Sequence, residues 1–333
     1  MKYLVTGAAG FIGYHVSAAL LEAGHDVHGI DGMTDYYDPQ LKRDRLARLS
    51  DYPRFEFTQG RIEDEATVEQ VLSRSKPAVI FHLAAQAGVR YSLEAPLEYV
   101  RSNVIGTTVL AEAVRAHAVE HLVFASTSSV YGGNVEFPFS EGDGTDYPQS
   151  IYAATKRSGE AILHSYSHLF SIPTTAVRFF TVYGPWGRPD MALFKFVQRV
   201  LEGNPIEVYG DGLPQRDFTF INDLVESLLA IAVRPPRLGE PVGQIDTLSP
   251  VAPFRIVNAG RGQIVGLGRF IRAVEAALRL PAEKVMLPMQ PGDVMRTEAD
   301  TRLLAALTGT LSATPIEHGV VDFVNWYRAY YDV

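Results

Sequence analysis

Residues 2–13 read KYLVTGAAGFIG, an apolar run that leads into three evenly spaced glycines, Gly7, Gly10 and Gly13. The apolar residues before Gly7 predict a buried strand, and the pattern over 11–23 predicts a helix. Glycine lets the chain turn tightly between strand and helix, so that backbone N–H groups approach an anion at the positive end of the helix dipole. The stretch therefore predicts the first strand–turn–helix unit of a nucleotide-binding sheet.

The alternation of strand-like and helix-like runs continues through the first half of the chain. Strands are predicted at 26–30, 55–57, 78–83, 122–125 and 174–180, and helical periods at about 64–75, 96–117 and 150–171. Because such alternation builds βαβ units, we predict an α/β fold, namely a Rossmann-type doubly wound parallel sheet with helices on both faces.

The composition of the chain changes after Tyr183, where Gly and Pro are more frequent and apolar runs are shorter. This change predicts a smaller α/β C-terminal substrate domain. We predict a dinucleotide-binding domain over 1–180, to which about 217–258 returns, and a substrate domain over 181–216 and 259–333. The Pro/Gly-rich segment 235–253 predicts a long surface loop.

Composition limits the classes of partner and site. The 333 residues are 47% hydrophobic and 20% charged, which is typical of a soluble globular protein. The net charge of −8 is spread over interspersed acids and bases, so we expect no nucleic-acid partner. The chain has no cysteine, which excludes disulfides and Cys-based metal sites and fits a cytoplasmic location.

Neither a membrane nor a metal is expected. A strand pattern at Lys2 leaves no room for a signal peptide, and no run of about 18 apolar residues predicts a membrane helix. His164 and His168 stand four residues apart on a predicted helix, a spacing that suits a metal. Because no third ligand is apparent nearby, we interpret them as part of a polar helix face.

Asp31 closes the second predicted strand, at the point where a dinucleotide site needs a carboxylate. A carboxylate about 20 residues beyond the glycines accepts hydrogen bonds from the adenosine ribose and repels a 2′-phosphate. The glycines alone are more often explained by packing or turns than by a nucleotide site. With a strand before them, a helix after them and Asp31 beyond, they predict NAD rather than NADP.

The run Tyr152-Ala-Ala-Thr-Lys156 places a tyrosine and a lysine on one helix face. A tyrosine hydroxyl titrates near pH ~10. A lysine cation and a nicotinamide charge would lower that pKa, which suits proton removal from a sugar hydroxyl. The alternative is one buried Tyr and one solvated Lys. Residues 126–129 (STSS) follow the fifth strand, and parallel sheets bind ligands at strand carboxyl ends, so we expect these hydroxyls beside Tyr152.

Five further stretches carry a resemblance to a known family: 35–38 (DYYD), 82–92, 178–191 (RFFTVYGPWGRPDM), 216–219 and 289–293. On these motifs the chain resembles, nearly end to end, the extended short-chain dehydrogenase/reductases, the family of UDP-sugar epimerases. Within that family it is most similar to the branch that epimerises UDP-glucuronate at C4, and the run from Thr181 to Met191 is the most specific sign of it.

The resemblance implies roles for particular residues. Tyr152 would be the catalytic base, Lys156 would orient the nicotinamide ribose, and Thr127 would hydrogen-bond the reacting hydroxyl. The implied cofactor-binding residues are Gly7, Gly10, Phe11, Ile12, Gly13, Asp31, Ile62, Leu83, Ala84, Ala85, Asn103, Tyr152, Lys156 and Phe179. The implied substrate-binding residues are Arg90, Thr127, Ser128, Ser129, Thr181, Arg188, Tyr209, Arg216 and Asp293.

The chain departs from the family pattern at three positions. Arg61 stands where Asp is usual near the adenine, and Gly32 stands where Asn usually follows the ribose carboxylate. Both departures bear on cofactor affinity. Gln290 precedes Pro-Gly-Asp where some epimerases carry a phosphate-binding Arg, which leaves Arg216 as the clearest pyrophosphate partner.

The roles of two arginines, Arg188 and Arg90, are each open to two interpretations. Arg188 offers a forked guanidinium that suits a sugar carboxylate, or it is a loop cation tied to Asp190. Arg90 contacts either the carboxylate or the pyrophosphate.

The function expected from these residues and the resemblance is isomerisation of a UDP-hexuronic acid, in which NAD oxidises and then reduces C4 through a 4-keto intermediate. The alternatives are a UDP-glucuronate decarboxylase and a UDP-glucose/galactose 4-epimerase. A 4,6-dehydratase needs an acidic pair near Thr127, and a non-catalytic NAD-binding scaffold would be expected to have lost Tyr152 or Lys156. The resemblance also implies a homodimer that pairs helices 96–117 and 150–171.

Overall fold

The computed structural model describes residues 1–290, 292, 294–309 and 313–333. Its strands are β1 Lys2–Thr6, β2 Asp26–Asp31, β3 Phe55–Gln59, β4 Val79–His82, β5 His121–Thr127, β6 Thr174–Phe179, β7 Thr181–Tyr183, β8 Ile206–Tyr209, β9 Gln215–Phe220, β10 Phe254–Ala259, β11 Ile264–Gly266 and β12 Lys284–Leu287. Seven of them form a parallel sheet in the order β10-β6-β5-β4-β1-β2-β3. The predicted α/β class and doubly wound sheet are confirmed.

The α-helices are α1 Phe11–Glu22, α2 Pro39–Ser50, α3 Glu65–Ser75, α4 Tyr91–Glu94, α5 Pro96–Tyr99, α6 Gly106–Arg115, α7 Ile151–Phe170, α8 Ala192–Leu201, α9 Ile221–Ala232, α10 Leu267–Leu278, α11 Arg302–Thr308 and α12 Ile316–Tyr331. A π-helical segment, Val100–Ile105, joins α5 to α6, and a 3₁₀ turn, Ser128–Tyr131, follows β5. Helices α3, α6 and α7 pack together beside one apolar cluster, and α1 packs on α2 and α9 beside another, so both faces of the sheet are covered.

Burial explains why the strands read as continuous apolar runs. Four of the five residues of β1 and all seven of β5 are buried, as expected for strands with helices on both sides. The helix α2 was not predicted. Its sequence, PQLKRDRLARLS, is mostly polar, and its buried positions include Leu41, Arg45 and Leu49. Because a buried arginine interrupts the spacing of apolar residues, the sequence pattern did not predict this helix.

Two smaller sheets flank the large one. One has the order β11-β9-β7 and the other pairs β12 with β8. Strand β10 lies beside β6 in the large sheet, so the chain returns there after β9. The division into a dinucleotide domain and a substrate domain stays a prediction.

The segment between α9 and β10 contains no α-helix or β-strand, as predicted for 235–253. It packs on α7: His164 Nε2 lies 2.9 Å from Ser249 Oγ, and His168 Nδ1 lies 2.7 Å from the Val251 carbonyl oxygen. These two histidines therefore attach a loop to the helix. In the described ranges, every helix falls short of the length or apolarity that a bilayer crossing requires.

Candidate active site

A cavity of about 1270 Å³ opens at the carboxyl ends of the parallel strands. The sheet order places β4 and β2 on opposite sides of β1, so the cavity lies at the switch point where doubly wound sheets bind nucleotides. Predicted residues from the glycine turn, the strand ends and the smaller sheets line it together: Gly7, Gly10, Phe11, Ile12, Gly13, Asp31, Ile62, Leu83, Ala84, Ala85, Arg90, Thr127, Ser128, Ser129, Tyr152, Lys156, Phe179, Thr181, Arg188, Tyr209 and Arg216.

The glycine turn is a cradle that a side chain would fill. Gly7 has φ +72°, and a Cβ there would lie 2.9 Å from the Ala84 nitrogen. A Cβ on Gly13 would lie 2.1 Å from the Gly7 carbonyl oxygen, which is a severe overlap. The turn therefore tolerates only glycine at these two positions. It brings the amino end of α1 to the cavity, where an anion is stabilised by the helix dipole.

Asp31 is held in place at the end of β2. Its Oδ2 accepts from the Ala9 N–H at 3.1 Å, and its Oδ1 accepts from the Met33 N–H at 2.8 Å. Each carboxylate oxygen has more than one acceptor site, so it can also receive a ribose hydroxyl. The cradle and this fixed carboxylate together fit a dinucleotide.

The two departures near the adenine end lie in contact with each other. A Cβ on Gly32 would come within 3.3 Å of Arg61 Cγ, so the missing side chain leaves room for the Arg61 stem. The Arg61 guanidinium pairs with Glu63, and its Nη2 donates to Glu98 Oε2 at 3.0 Å. Its charge is thus compensated by two carboxylates of the protein.

Tyr152 and Lys156 lie in the first turns of α7, which Ser150 caps by accepting from the Ala153 N–H at 3.1 Å. Burial lowers the pKa of Lys156 to about 7, against an opposing effect of Glu160. Burial also raises the pKa of Tyr152, and neither a hydrogen bond with Thr127 nor the charge of Arg188 offsets it. Among the protein's own groups, desolvation thus outweighs the nearby charges. The lowering expected from the nicotinamide charge stays a prediction.

The hydroxyls predicted beside Tyr152 lie at the end of β5. Thr127 Oγ1 accepts from the Ser129 N–H at 3.1 Å and so caps the 3₁₀ turn that follows the strand. The turn directs the chain out of the sheet, and residues 127–129 line the cavity with Tyr152. The expected juxtaposition is present.

A buried ion pair fixes α7 to the sheet behind these groups. Arg178, on β6, donates to both oxygens of Glu160 at 2.9 Å, and the Ser126 hydroxyl donates to Glu160 Oε1 at 2.5 Å. Both charged side chains are at most 2% exposed. Glu160 lies one turn of α7 beyond Lys156. The Arg178–Glu160 ion pair therefore fixes the position of α7, and with it Tyr152 and Lys156, relative to β5 and β6.

Arg188 is tied to Asp190 and also faces the cavity. Its Nε donates to Asp190 Oδ1 at 3.0 Å, and the Tyr36 hydroxyl donates to Asp190 Oδ2 at 3.1 Å. Burial raises the pKa of the Asp190 carboxyl, but the charge and hydrogen bonds of Arg188, with the bond from Tyr36, hold it below its usual value. The arginine thus presents a partly compensated cation on the Tyr152 side of the cavity.

Arg90 and two of the predicted UDP-side residues, Tyr209 and Arg216, also line the cavity. The Arg90 guanidinium lies 4.7 Å from the centre of the Tyr209 ring, and the Tyr209 hydroxyl donates to Glu207 at 2.7 Å. Arg216 lies on β9 and donates to the Gln215 carbonyl at 3.0 Å. Asp293 lies outside the described residues.

Comparison with known proteins identifies the family. Residues 3–242 match the model of the NAD dependent epimerase/dehydratase family. The chain belongs to this family. It is 52% identical over 334 residues to a probable UDP-glucuronate 4-epimerase of Rhizobium meliloti (strain 1021), covering 99% of this chain and 98% of that relative. It is 42% identical over 333 residues to UDP-glucuronate 4-epimerase 4 of Arabidopsis thaliana, covering 98% of this chain and 75% of the relative.

A solved structure from the same family has a closely similar fold. The UDP-glucuronic acid 4-epimerase from Bacillus cereus, in complex with UDP-glucuronic acid and NAD, matches with a TM-score of 0.89 and 32% sequence identity. The match covers 99% of this chain and 100% of that one.

One predicted cofactor residue of this family member lies behind the cavity wall. Asn103 is 1% exposed and is not among the lining residues. Its Oδ1 accepts from the Gln86 N–H at 2.9 Å, and its Nδ2 donates to the Gln86 carbonyl and to Thr155 Oγ1, both at 3.0 Å. It therefore supports the backbone of the wall that follows β4, and its role as a cofactor-binding residue stays a prediction.

Sequence reasoning missed several lining residues of this epimerase/dehydratase. Lys195 and Arg199 both line the cavity from α8, one turn apart. Their spacing of four on a helix was the available signal. Tyr36 lines the cavity as well: its ring lies against Gly88, and its hydroxyl donates to Asp190.

Proposed function

We propose that this protein is an NAD-dependent 4-epimerase that interconverts UDP-glucuronate and UDP-galacturonate through a transient 4-keto sugar. One observation carries the proposal: the Tyr152–Thr127 pair and the Arg188 cation meet at one cavity, close enough for the Arg188 charge to act on the Tyr152 pKa. A proton-transfer group and a carboxylate-binding group therefore face the same sugar. The names of the R. meliloti and B. cereus relatives support the same reaction.

Bound NAD supplies the oxidation and reduction at C4 of the sugar. As a phenolate, Tyr152 would accept the proton of the sugar 4-hydroxyl group while hydride leaves C4, and the resulting phenol would return that proton when hydride comes back; Thr127 would hydrogen-bond the same sugar oxygen. Because burial raises the pKa of Tyr152, its phenolate depends on positive charge nearby, which protonated Lys156 and the nicotinamide of bound NAD would supply. With a pKa of about 7, Lys156 is only partly charged near neutral pH, so negative charge brought into the pocket would favour its protonation.

The carboxylate needs its own restraint in this reaction. Oxidation at C4 makes the glucuronate a β-keto acid, which loses carbon dioxide when its carbon–carboxylate bond aligns with the carbonyl π system. Arg188 can bind the carboxylate through its planar guanidinium. The hydroxyl groups of residues 127–129 and of Thr181 line the same cavity. We propose that this grip keeps the bond out of alignment while the sugar turns.

One observation favours a second candidate, a UDP-glucose/galactose 4-epimerase. Asp190 compensates part of the Arg188 charge, which weakens attraction for an acidic sugar and would suit a neutral one. A decarboxylase would use the same 4-keto sugar with a looser grip on the acid.

The deciding experiment is NMR of purified protein mixed with UDP-glucuronate, with and without added NAD. UDP-galacturonate as the main product is the expected result. UDP-pentose with carbon dioxide would replace the proposal by the decarboxylase. No conversion of UDP-glucuronate, together with conversion of UDP-glucose to UDP-galactose, would replace it by the neutral-sugar epimerase.

We further propose a homodimer in the cytoplasm. The helical segments proposed to pair expose large apolar side chains, among them Leu97, Ile105 and Leu169, at 65%, 47% and 66% exposure. An exposed apolar surface of this kind suits a second copy. Light scattering after gel filtration should give about twice the 36.7 kDa chain mass, and Leu97→Glu should shift it toward the monomer. The lack of cysteine fits a reducing compartment.

A further inference from the structure

The turn before Arg188 has an unusual backbone. The Gly187 N–H donates to the Gly184 carbonyl at 3.1 Å, so residues 184–187 close a four-residue turn with Trp186 at its third position. Trp186 has φ +60°, a region that side chains disfavour and that glycine or asparagine normally occupies in such turns. A conformation of this kind persists only when the surroundings hold it.

Two side chains, the half-buried His15 and the buried Arg45, hold the carbonyl groups of this turn. His15 Nε2 lies 2.9 Å from the Pro185 carbonyl oxygen. Arg45, which is 0% exposed, donates through Nη2 to the Trp186 carbonyl at 2.6 Å and to the Gly187 carbonyl at 3.4 Å. Both side chains come from helices of the large-sheet layer, so the turn is fixed from that side.

The same guanidinium also reaches the glycine turn. Arg45 Nη1 donates to the Ala9 carbonyl at 2.9 Å and to the Tyr37 hydroxyl at 2.8 Å. The N–H of Ala9 in turn donates to Asp31. Arg45 therefore joins the backbone of the cofactor cradle to the backbone of the turn that carries Arg188.

The opposite side of the turn is packed by aromatic rings. The Trp186 ring lies 5.4 Å from Trp326 and 5.1 Å from Tyr330, both on α12. These contacts fix the indole ring. The peptide group between Trp186 and Gly187 is oriented instead by Arg45, which donates to the Trp186 carbonyl. Burying a cation is costly unless its hydrogen bonds are satisfied, so an arginine at this position needs an explanation beyond apolar packing.

We propose that Arg45 is a positioning residue for substrate selection. By holding the Trp186 and Gly187 carbonyls, it keeps the turn in the one conformation that presents Arg188 to the carboxylate of the substrate. This inference rests on the proposed function, because it assumes that Arg188 distinguishes an acidic sugar from a neutral one.

The test measures ligand preference in a Tyr152→Phe background, where turnover does not disturb binding. Calorimetry with the NAD-loaded protein gives Kd for UDP-glucuronate and for UDP-glucose. The variants are Arg45→Lys, which keeps a buried cation but loses the fork, and Arg45→Met, which removes the donors. Arg43→Met is the matched control, since Arg43 is exposed on the same helix.

We expect Arg45→Lys to reduce the preference for UDP-glucuronate by about tenfold, the scale of one weakened charge-assisted hydrogen bond. UDP-glucose and NAD affinities should change by less than about twofold, and Arg43→Met should behave like the parent. In an Arg188→Ala background, Arg45→Lys should leave the preference unchanged, because the group that it positions is gone.

The outcomes separate the two proposals. An unchanged preference in folded, NAD-binding Arg45→Lys protein would overturn the positioning role, as would equal weakening of both sugars. If Arg45→Met does not fold, Arg45→Lys carries the test. A parent protein without any preference for UDP-glucuronate, or an Arg188→Ala variant that keeps the preference, would overturn the proposed function instead.

Discussion

Replacing Arg188 by alanine is the most direct perturbation of the proposed carboxylate grip. The Arg188 side chain is 21% exposed, so its guanidinium is largely removed from water. Its Nε and Nη2 each donate to Asp190. A guanidinium has five N–H donors, which leaves up to three for a substrate carboxylate. The alanine substitution removes these donors and the charge together.

The expected magnitude follows from that count. A hydrogen bond to a charged group contributes about 1.5–3 kcal/mol, and each ~1.4 kcal/mol is a factor of ten in Kd. Partial compensation by Asp190 argues against adding several such bonds. We therefore expect Arg188→Ala to weaken UDP-glucuronate by about 10- to 150-fold and UDP-glucose far less. A weaker grip should also release some UDP-pentose during turnover.

The assay is calorimetry with both ligands, followed by NMR of the products. Arg188→Ala leaves the Asp190 carboxylate without its cation, so Arg188→Ala/Asp190→Asn is needed as a companion variant. Arg237→Ala, whose side chain is 73% exposed on the 233–253 loop, is the control for removal of a positive charge. Equal weakening toward both sugars in the companion variant would refute the reasoning, because Arg188 would then not recognise the acid.

Three further predictions concern the base, the cofactor and a buried acid. Tyr152→Phe should fold and keep its NAD content but lose about 10²–10⁴-fold in turnover, since it removes the proton acceptor and little volume; a near-normal rate would place the base elsewhere. Calorimetry should show tighter binding of NAD than of NADP, because Asp31 is fixed where a 2′-phosphate would lie, and the opposite order would remove that role from Asp31. Burial raises the pKa of Glu141 from 4.5 to about 7, so the stability that this group contributes is complete below pH 4.5 and is lost as the pH rises through 7. In urea unfolding, the free energy of unfolding of Glu141→Gln should therefore equal that of the wild type at pH 4 and exceed it at pH 8 by up to about 3 kcal/mol. The exposed control, Glu136→Gln, should leave the free energy of unfolding unchanged at both pH values, and equal stability of Glu141→Gln and wild type at pH 8 would contradict the prediction.

Much of the fold was predictable because its signals are local. Apolar runs in β1 and β5 and glycines at 7 and 13 act over a few residues, through burial on both faces of a strand and through close backbone contacts. The missed helix α2 shows the limit of this approach. Its inward face carries Arg45 between two leucines, and a charged residue at a core position breaks the apolar period that predicts a helix.

The features of the site likewise fall into those that the sequence predicts and those that depend on tertiary packing. The chemical groups that line the cavity follow from the sequence: a glycine cradle, a ribose carboxylate, a Tyr–Lys pair and hydroxyls at a strand end. The folded chain was needed to show that Asn103 supports the wall, that burial raises the Tyr152 pKa, and that Arg45 holds a carbonyl 141 residues away along the chain. The physical reason is that residue spacing sets local geometry, whereas desolvation and long-range hydrogen bonds depend on which distant segments pack together.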